Sequence, residues 1–328
     1  GMTTATVRLW GRDIGAVYWN ASRNIGTFQY EPEFADTNYQ VAPITMPLAN
    51  TIYSFPALPR ETFHGLPGML VDSLPDDYGN ALIDAWLAQD GRDASSFNPV
   101  ERLCYTGTRG MGALEYLPTT GPTAEKSEVV NMQALVELAS EILSQRNQID
   151  GDFTAIKREE SLQQILSGGT SAGGARAKAV IAWNRETNEV RSGQVEADSG
   201  FSYWILKFDG VSGNKDKELE DPKGYGLIEL AYNKMALAAG IDMTECRPLE
   251  EGGRTHFMTR RFDRTESGKK LHMQSLGAMA HFDYKKPAAY SYEQAIRVMR
   301  EIGLGASDIE QQFRRTAFNL IARNQDDH

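Results

Sequence analysis

Gly168-Gly169-Thr170-Ser171-Ala172-Gly173-Gly174-Ala175-Arg176-Ala177-Lys178 is the stretch on which the reading of this chain turns. Glycines let backbone N–H groups come close to a phosphate, and a lysine at the end of the run adds a compact cation. The spacing fits neither GxxxxGK[ST] nor the Rossmann GxGxxG. On its residues alone the run therefore reads more readily as a tight hairpin turn than as a phosphate-binding loop.

Outward from the loop the pattern is strand, turn, strand. Ala179 to Trp183 is an apolar run with strand character, and Tyr203 to Phe208 is a second one that carries Lys207 near its end. A lysine closing a strand ordinarily snorkels to solvent. Here it follows the glycine run by one hairpin, the order in which a kinase N-lobe places a loop over phosphates and then a strand lysine on them. Leu227 to Ala239 has apolar residues at helical spacing and ends at Gly240. Glu229 near its start is the candidate carboxylate for Lys207, or simply a favourable acid at a helix N-terminus. His256 to Thr259 returns to strand, and Tyr290 to Ile302 and Ile309 to Ala322 read as two late helices.

Ser171-Ala172-Gly173-Gly174-Ala175-Arg176-Ala177-Lys178 is similar to the S-x-G-G-A-R-x-K loop of the HipA-like kinases, although Ala177 stands where Pro is common. Thr259-Arg260-Arg261-Phe262-Asp263-Arg264 resembles the R-F-D-R segment between the lobes of that family. Asn324-Gln325-Asp326-Asp327-His328 fits the first half of its N-x-D-x-H-x-x-N catalytic loop. The resemblance implies an α+β fold, a two-lobed protein-kinase-like HipA fold with an added N-terminal subdomain and a truncated helical C-lobe. The corresponding division is 1–120 for the N-terminal subdomain, 121–262 for the N-lobe and 263–328 for an incomplete C-lobe.

It also implies an activity, the ATP-dependent phosphorylation of a protein Ser or Thr with ATP and Mg²⁺ as cofactors. Ser171 is then a self-phosphorylated off-switch in the glycine-rich loop. Gly173, Gly174, Lys178 and Lys207 become nucleotide contacts, as do Arg260, Phe262 and Asp263 near adenine. Asp326 accepts the substrate hydroxyl proton. The metal ligands of the family are expected beyond His328, which favours a longer natural protein. The implied partners are a protein substrate, known examples including aminoacyl-tRNA synthetases, and a HipB-like helix-turn-helix antitoxin through which DNA is reached. A catalytically inactive module that binds nucleotide or antitoxin is the alternative, and an ATP-grasp-like ligase acting on a small molecule is a further one.

Size and charge agree with this picture. A chain of 328 residues accommodates two or three compact units, and 41% hydrophobic residues suffice for substantial cores. A formal charge of -10 argues against broad attraction to nucleic acid by this chain itself. Cys104 and Cys246 are far apart and outside any CxxC pattern, which points to buried thiols in a reducing cytosol. Met2 to Arg8 lacks a secretory signal, and the apolar runs fall short of a membrane span, so a cytoplasmic protein without a membrane partner is expected. His64, His256, His272 and His281 have no metal-ligand spacing.

The first hundred residues read as strands followed by helices. Ala5 to Trp10 alternates as a strand, Arg12-Asp13-Ile14-Gly15 reads as a turn, and Gly26 to Tyr30 is a further strand. Leu66 to Gln89 has helical spacing broken at Leu74-Pro75-Asp76-Asp77, Gly107 to Gly112 is a glycine-rich turn, and Leu117 to Thr123 has linker composition.

Overall fold

The computed structural model describes residues 3–89, 91–121, 132–133, 135–137, 139–140, 177–193, 197–209, 225–283, 285–286 and 291–321. Two five-stranded antiparallel sheets organise them, one within residues 3–117 and one within 178–260.

The first sheet contains β1 (Thr3–Leu9), β2 (Arg12–Asn20), β3 (Ile25–Tyr30), β4 (Ile52–Tyr53) and β5 (Leu114–Leu117), ordered β4-β3-β2-β1-β5. Ala5, Val7 and Leu9 alternate inward and meet Ile14, Val17 and Phe28 in a core closed by Leu70, Val100, Leu103 and Tyr116. This is the period-two pattern of a sheet with one buried face. The turn between β1 and β2 is Trp10-Gly11, both at positive φ (48° and 77°), with Leu9 paired to Arg12. The expected turn at residues 12–15 is thereby corrected. Only Trp10-Gly11 has the left-handed backbone that a two-residue hairpin demands, and Arg12 already belongs to β2.

Short helices α1 (Pro32–Ala35), α2 (Arg60–Phe63) and α3 (Gly68–Val71) lead to α4 (Asp77–Gln89) and α5 (Pro99–Thr106). The break at Leu74-Pro75-Asp76 is where α4 begins, and Asp76 caps it by accepting the Gly79 N–H at 2.7 Å. Asn98 does the same for α5, accepting from the Glu101 N–H at 2.9 Å with Pro99 in the first turn.

The second sheet contains β6 (Lys178–Asn184), β7 (Val190–Ser192), β8 (Phe201–Lys207), β9 (Cys246–Glu251) and β10 (Arg254–Arg260), ordered β7-β6-β8-β10-β9. Ala179, Ile181, Trp183, Trp204 and Leu206 face a core shared with Leu82, Ile83 and Ala85 of α4 and with Met132, Leu135, Val136 and Ala139. Trp204 is fully buried, edge-on to Trp183 at 5.6 Å, and its indole N–H donates to the Ser202 hydroxyl at 2.7 Å. Truncating such a residue to Ala ordinarily costs about 3–5 kcal/mol. Because α4 packs in this core, the N-terminal part of the chain and the second sheet share one interior.

Helix α6 (Tyr225–Ala238) crosses β9 and β10, and α7 (Leu276–Ala280), α8 (Tyr292–Glu301) and α9 (Ala306–Ile321) follow. Arg314 and Gln311 of α9 donate to the Gly240 carbonyl at 3.1 and 3.3 Å, and Arg315 donates to the Asp242 carbonyl at 2.7 Å. Carbonyls left over at and just beyond the end of α6 are thus satisfied by side chains of α9.

Candidate functional site

Lys207 is the last residue of β8, with Phe257 of β10 as its cross-strand partner on one side and Lys178 of β6 on the other. Its ammonium lies 2.7 Å from Oε1 of Glu229 on α6 and 6.0 Å from the centre of the Phe257 ring. Both members of the pair are partly open to solvent. Helix α6 comes this close because Gly226 faces Phe257. A Cβ on Gly226 would lie 3.1 Å from the Phe257 Cβ, tighter than ordinary packing. The two readings of Glu229 resolve in favour of the ion pair with the strand lysine.

Lys178 occupies a different environment. Its ammonium is buried and sits 2.9 Å from Oδ2 of Asp76, the residue that caps α4. Here Lys178 is seen paired with the N-terminal subdomain. A cation committed to a buried carboxylate ties the end of the glycine-rich stretch to the N-terminal subdomain.

Asp263 is buried as well. Its side chain is wholly buried, with Arg261 Nη2 at 2.8 Å and Arg264 Nη1 at 3.1 Å. It also accepts the backbone N–H of Gly112 at 2.7 Å. Burial works to raise its pKa, but the hydrogen bonds and charges of Arg261 and Arg264 outweigh that and hold it below the usual carboxylate range. Burial beside the Arg261 charge pushes the Arg264 guanidinium down to about 10. Arg264 further donates to the carbonyls of Gly112 and Gly110, at 3.0 and 3.3 Å. Asp263 is therefore the centre of a junction with the glycine-rich turn 107–112.

The neighbours of Asp263 are more exposed. Phe262, two residues beyond β10, is 61% exposed. Arg260 reaches Glu266 at 3.7 Å, while its backbone N–H is held by the Glu245 carbonyl at 2.9 Å. Ser171, Gly173, Gly174 and Asp326 lie outside the described residues.

His256 and His281 are held by backbone hydrogen bonds. His256 accepts the Asp209 N–H on Nδ1 at 2.9 Å, so Nε2 carries the proton shared with Glu251 at 3.1 Å. His281 Nε2 accepts the Gly68 N–H at 3.0 Å, and burial lowers its pKa to about 4. Among the described residues no group of three His, Cys, Asp or Glu could hold a metal. Nor is any helix among them long and apolar enough to cross a membrane.

Comparison with known proteins bears on the family and the fold. A model of the HipA N-terminal domain matches residues 5–117, and a model of the HipA-like C-terminal domain matches residues 170–328. The chain belongs to the HipA family. A solved structure of similar fold is HipA in a complex from Shewanella oneidensis MR-1 described as a toxin–antitoxin system of HipA, HipB and operator DNA. The TM-score is 0.58 at 16% identity, over 99% of this chain and 70% of that one. The fold is thus the α+β HipA fold that the resemblance implied. No curated protein matches the chain.

Three elements of this candidate site escape a linear reading: Asp76 as partner of Lys178, Gly226 as the contact that admits α6, and the Arg261–Asp263–Arg264 junction. Asp76 alone carries a signal, since Leu-Pro-Asp-Asp before a helical run marks an N-terminal cap. Capping uses one carboxylate oxygen and leaves the other for a cation.

Proposed function

We propose that this chain is the kinase of a toxin–antitoxin pair, transferring the γ-phosphoryl group of ATP to a Ser or Thr of a protein. The observation that carries the reading is the Lys207–Glu229 pair at 2.7 Å, a strand lysine oriented by a helix carboxylate. Such a lysine supplies a fixed positive charge for the α- and β-phosphates, and the carboxylate holds it in place between turnovers. The donor set fits ATP: Lys207 is partly open, and Phe262 offers an exposed ring at the end of β10 against which a base can stack. Mg²⁺ is different, because the described residues contain no set of ligands for it, and no step is derived through the metal.

Asp326 accepts the proton of the substrate hydroxyl, a role taken from its place in Asn324-Gln325-Asp326. Phosphorylation of Ser171 adds about -1.5 to -2 charge to the glycine-rich stretch and opposes nucleotide phosphates there. The partner is a HipB-like antitoxin, and DNA is reached through it, in keeping with a net charge of -10. In the relative from Shewanella oneidensis, HipA is found with HipB and operator DNA.

The test is incubation of the chain with ATP labelled in its γ-phosphate. Label transfer to protein, abolished in Lys207→Ala and in Asp326→Ala, is the expected result. ATP binding without transfer favours the inactive nucleotide-binding module, and turnover of ATP without protein labelling points to small-molecule chemistry.

A further inference from the structure

Phe262 stands between two buried residues. Arg261 and Asp263 are 4% and 1% exposed, whereas Phe262 is 61% exposed. The Arg261 guanidinium reaches past it to both oxygens of Asp263, Nε to Oδ1 at 2.9 Å and Nη2 to Oδ2 at 2.8 Å. This two-pronged bond joins the flanking side chains on the buried side and leaves the ring on the other. The Arg261 N–H is itself anchored on the Tyr203 carbonyl of β8 at 2.9 Å.

The fork is closed from the N-terminal subdomain. Asp263 Oδ2 accepts the Gly112 N–H at 2.7 Å. Arg264 donates from Nη1 to the carbonyls of Gly112 and Asp263, at 3.0 and 2.9 Å, and from Nη2 to the Gly110 carbonyl at 3.3 Å. The Asp263 carbonyl also takes the Leu271 N–H at 2.9 Å. Gly112 can make this approach because its φ is 75° and it lacks a Cβ, which would lie 3.1 Å from the Met273 nitrogen.

We infer that Arg264 is a positioning residue for Phe262: by locking Asp263 onto the turn 110–112, it holds the Phe262 ring outward, where a nucleotide base can stack. A ring exposed to this degree is unfavourable in water and, unless held, turns onto nearby apolar surface. The N-terminal subdomain thereby acts on the base through the end of β10. The inference rests on the kinase reading for the identity of the base, but not for the orientation of the ring.

Arg264→Lys keeps a charge beside Asp263 and removes the clamp, since an ammonium lacks the rigid fork that serves three separate carbonyls. In the nucleotide-free chain, hydroxyl-radical labelling of Phe262, read on its peptide by mass spectrometry, is expected to fall to about half as the ring settles on the surface. Titration calorimetry with MgATP and with magnesium tripolyphosphate, which lacks the base, is the second measure. Arg264→Lys should weaken MgATP about tenfold, within the range of a lost base–aromatic stack, and leave tripolyphosphate unchanged. Phe262→Ala should do the same. The double variant should bind MgATP no more weakly than Phe262→Ala alone, because the arginine acts through the ring.

Labelling of Phe262 unaltered in Arg264→Lys overturns the inference. So do equal losses for the two ligands, or losses that add in the double variant, which mark a merely structural arginine. Should Arg264→Lys fail to fold, the wild-type chain decides by reciprocity. MgATP, but not tripolyphosphate, must then slow amide exchange at Gly112, whose N–H is bonded to Asp263. Exchange that responds to neither ligand, or equally to both, overturns the inference. If labelling falls as expected but the wild-type chain does not bind MgATP, the positioning of Phe262 stands and the kinase reading falls.

Discussion

Two carboxylate–cation clusters flank β10 and do opposite things. At Asp263 one carboxylate collects two guanidinium groups and a backbone N–H with no solvent access, and the partners belong to both halves of the described chain. At Glu229 the carboxylate meets the Lys207 ammonium, and both are partly open to water. Every group at the first cluster is committed, so its charges hold the subdomains together. The second cluster is partly open to solvent, and a partly exposed pair of this kind contributes little to stability. Burial and the number of partners, rather than the presence of charge, separate a joint from a site.

The contrast predicts opposite mutational signatures. Asp263→Ala strands two buried guanidinium groups and is expected to destabilise the chain by about 3–5 kcal/mol, read by urea unfolding. A loss below 1 kcal/mol would mean that the junction bears little of the connection. Gly226→Val sharpens the other side of the comparison. Its Cβ meets Phe257 at 3.1 Å, and the added methyls press α6 off the sheet. Overpacking of this kind costs about 1–3 kcal/mol. The Lys207–Glu229 pair should part with it, seen as a loss of MgATP affinity larger than the same change produces at exposed Gly305, where a Cβ meets nothing.

A smaller effect concerns His281, which joins α7 to Gly68 of the N-terminal subdomain. Burial lowers its pKa from 6.5 to about 4, so the unfolded chain binds this proton at a higher pH than the folded chain does. The stability it contributes is complete above about pH 6.5 and is lost as pH falls toward 4. With solvent screening at a partly buried ring the loss is about 1–2 kcal/mol. His281→Gln should flatten unfolding stability across that window, and an unchanged slope would exclude the ring as its source.

Much of the fold is legible from residue order. β1, β3, β6 and β8 announce themselves by apolar alternation or apolar runs, and α6 by spacings of three and four. β9 does not, because Cys246-Arg-Pro-Leu-Glu-Glu is an edge strand with only Leu249 buried, and its strand character comes from pairing with β10. The first hairpin turn is hidden because Trp10 is an unusual residue for positive φ.

At the site, Lys207 is legible because a charge ends an apolar strand, and Glu229 because it falls on the next helix. Asp263 and Lys178 look equally available in the sequence. Their commitment depends on burial and on partners far away in the chain, Gly112 and Asp76, which no local pattern encodes.

The central claim is that Lys207, oriented by Glu229, is the phosphate-binding lysine. Titration of MgATP onto the wild-type chain and onto Lys207→Met, with thermal unfolding of both, tests it most directly. The account predicts binding by the wild type, affinity weakened at least about tenfold in the variant, and a stability change within about 1 kcal/mol. Equal affinity in the two folded chains would contradict it.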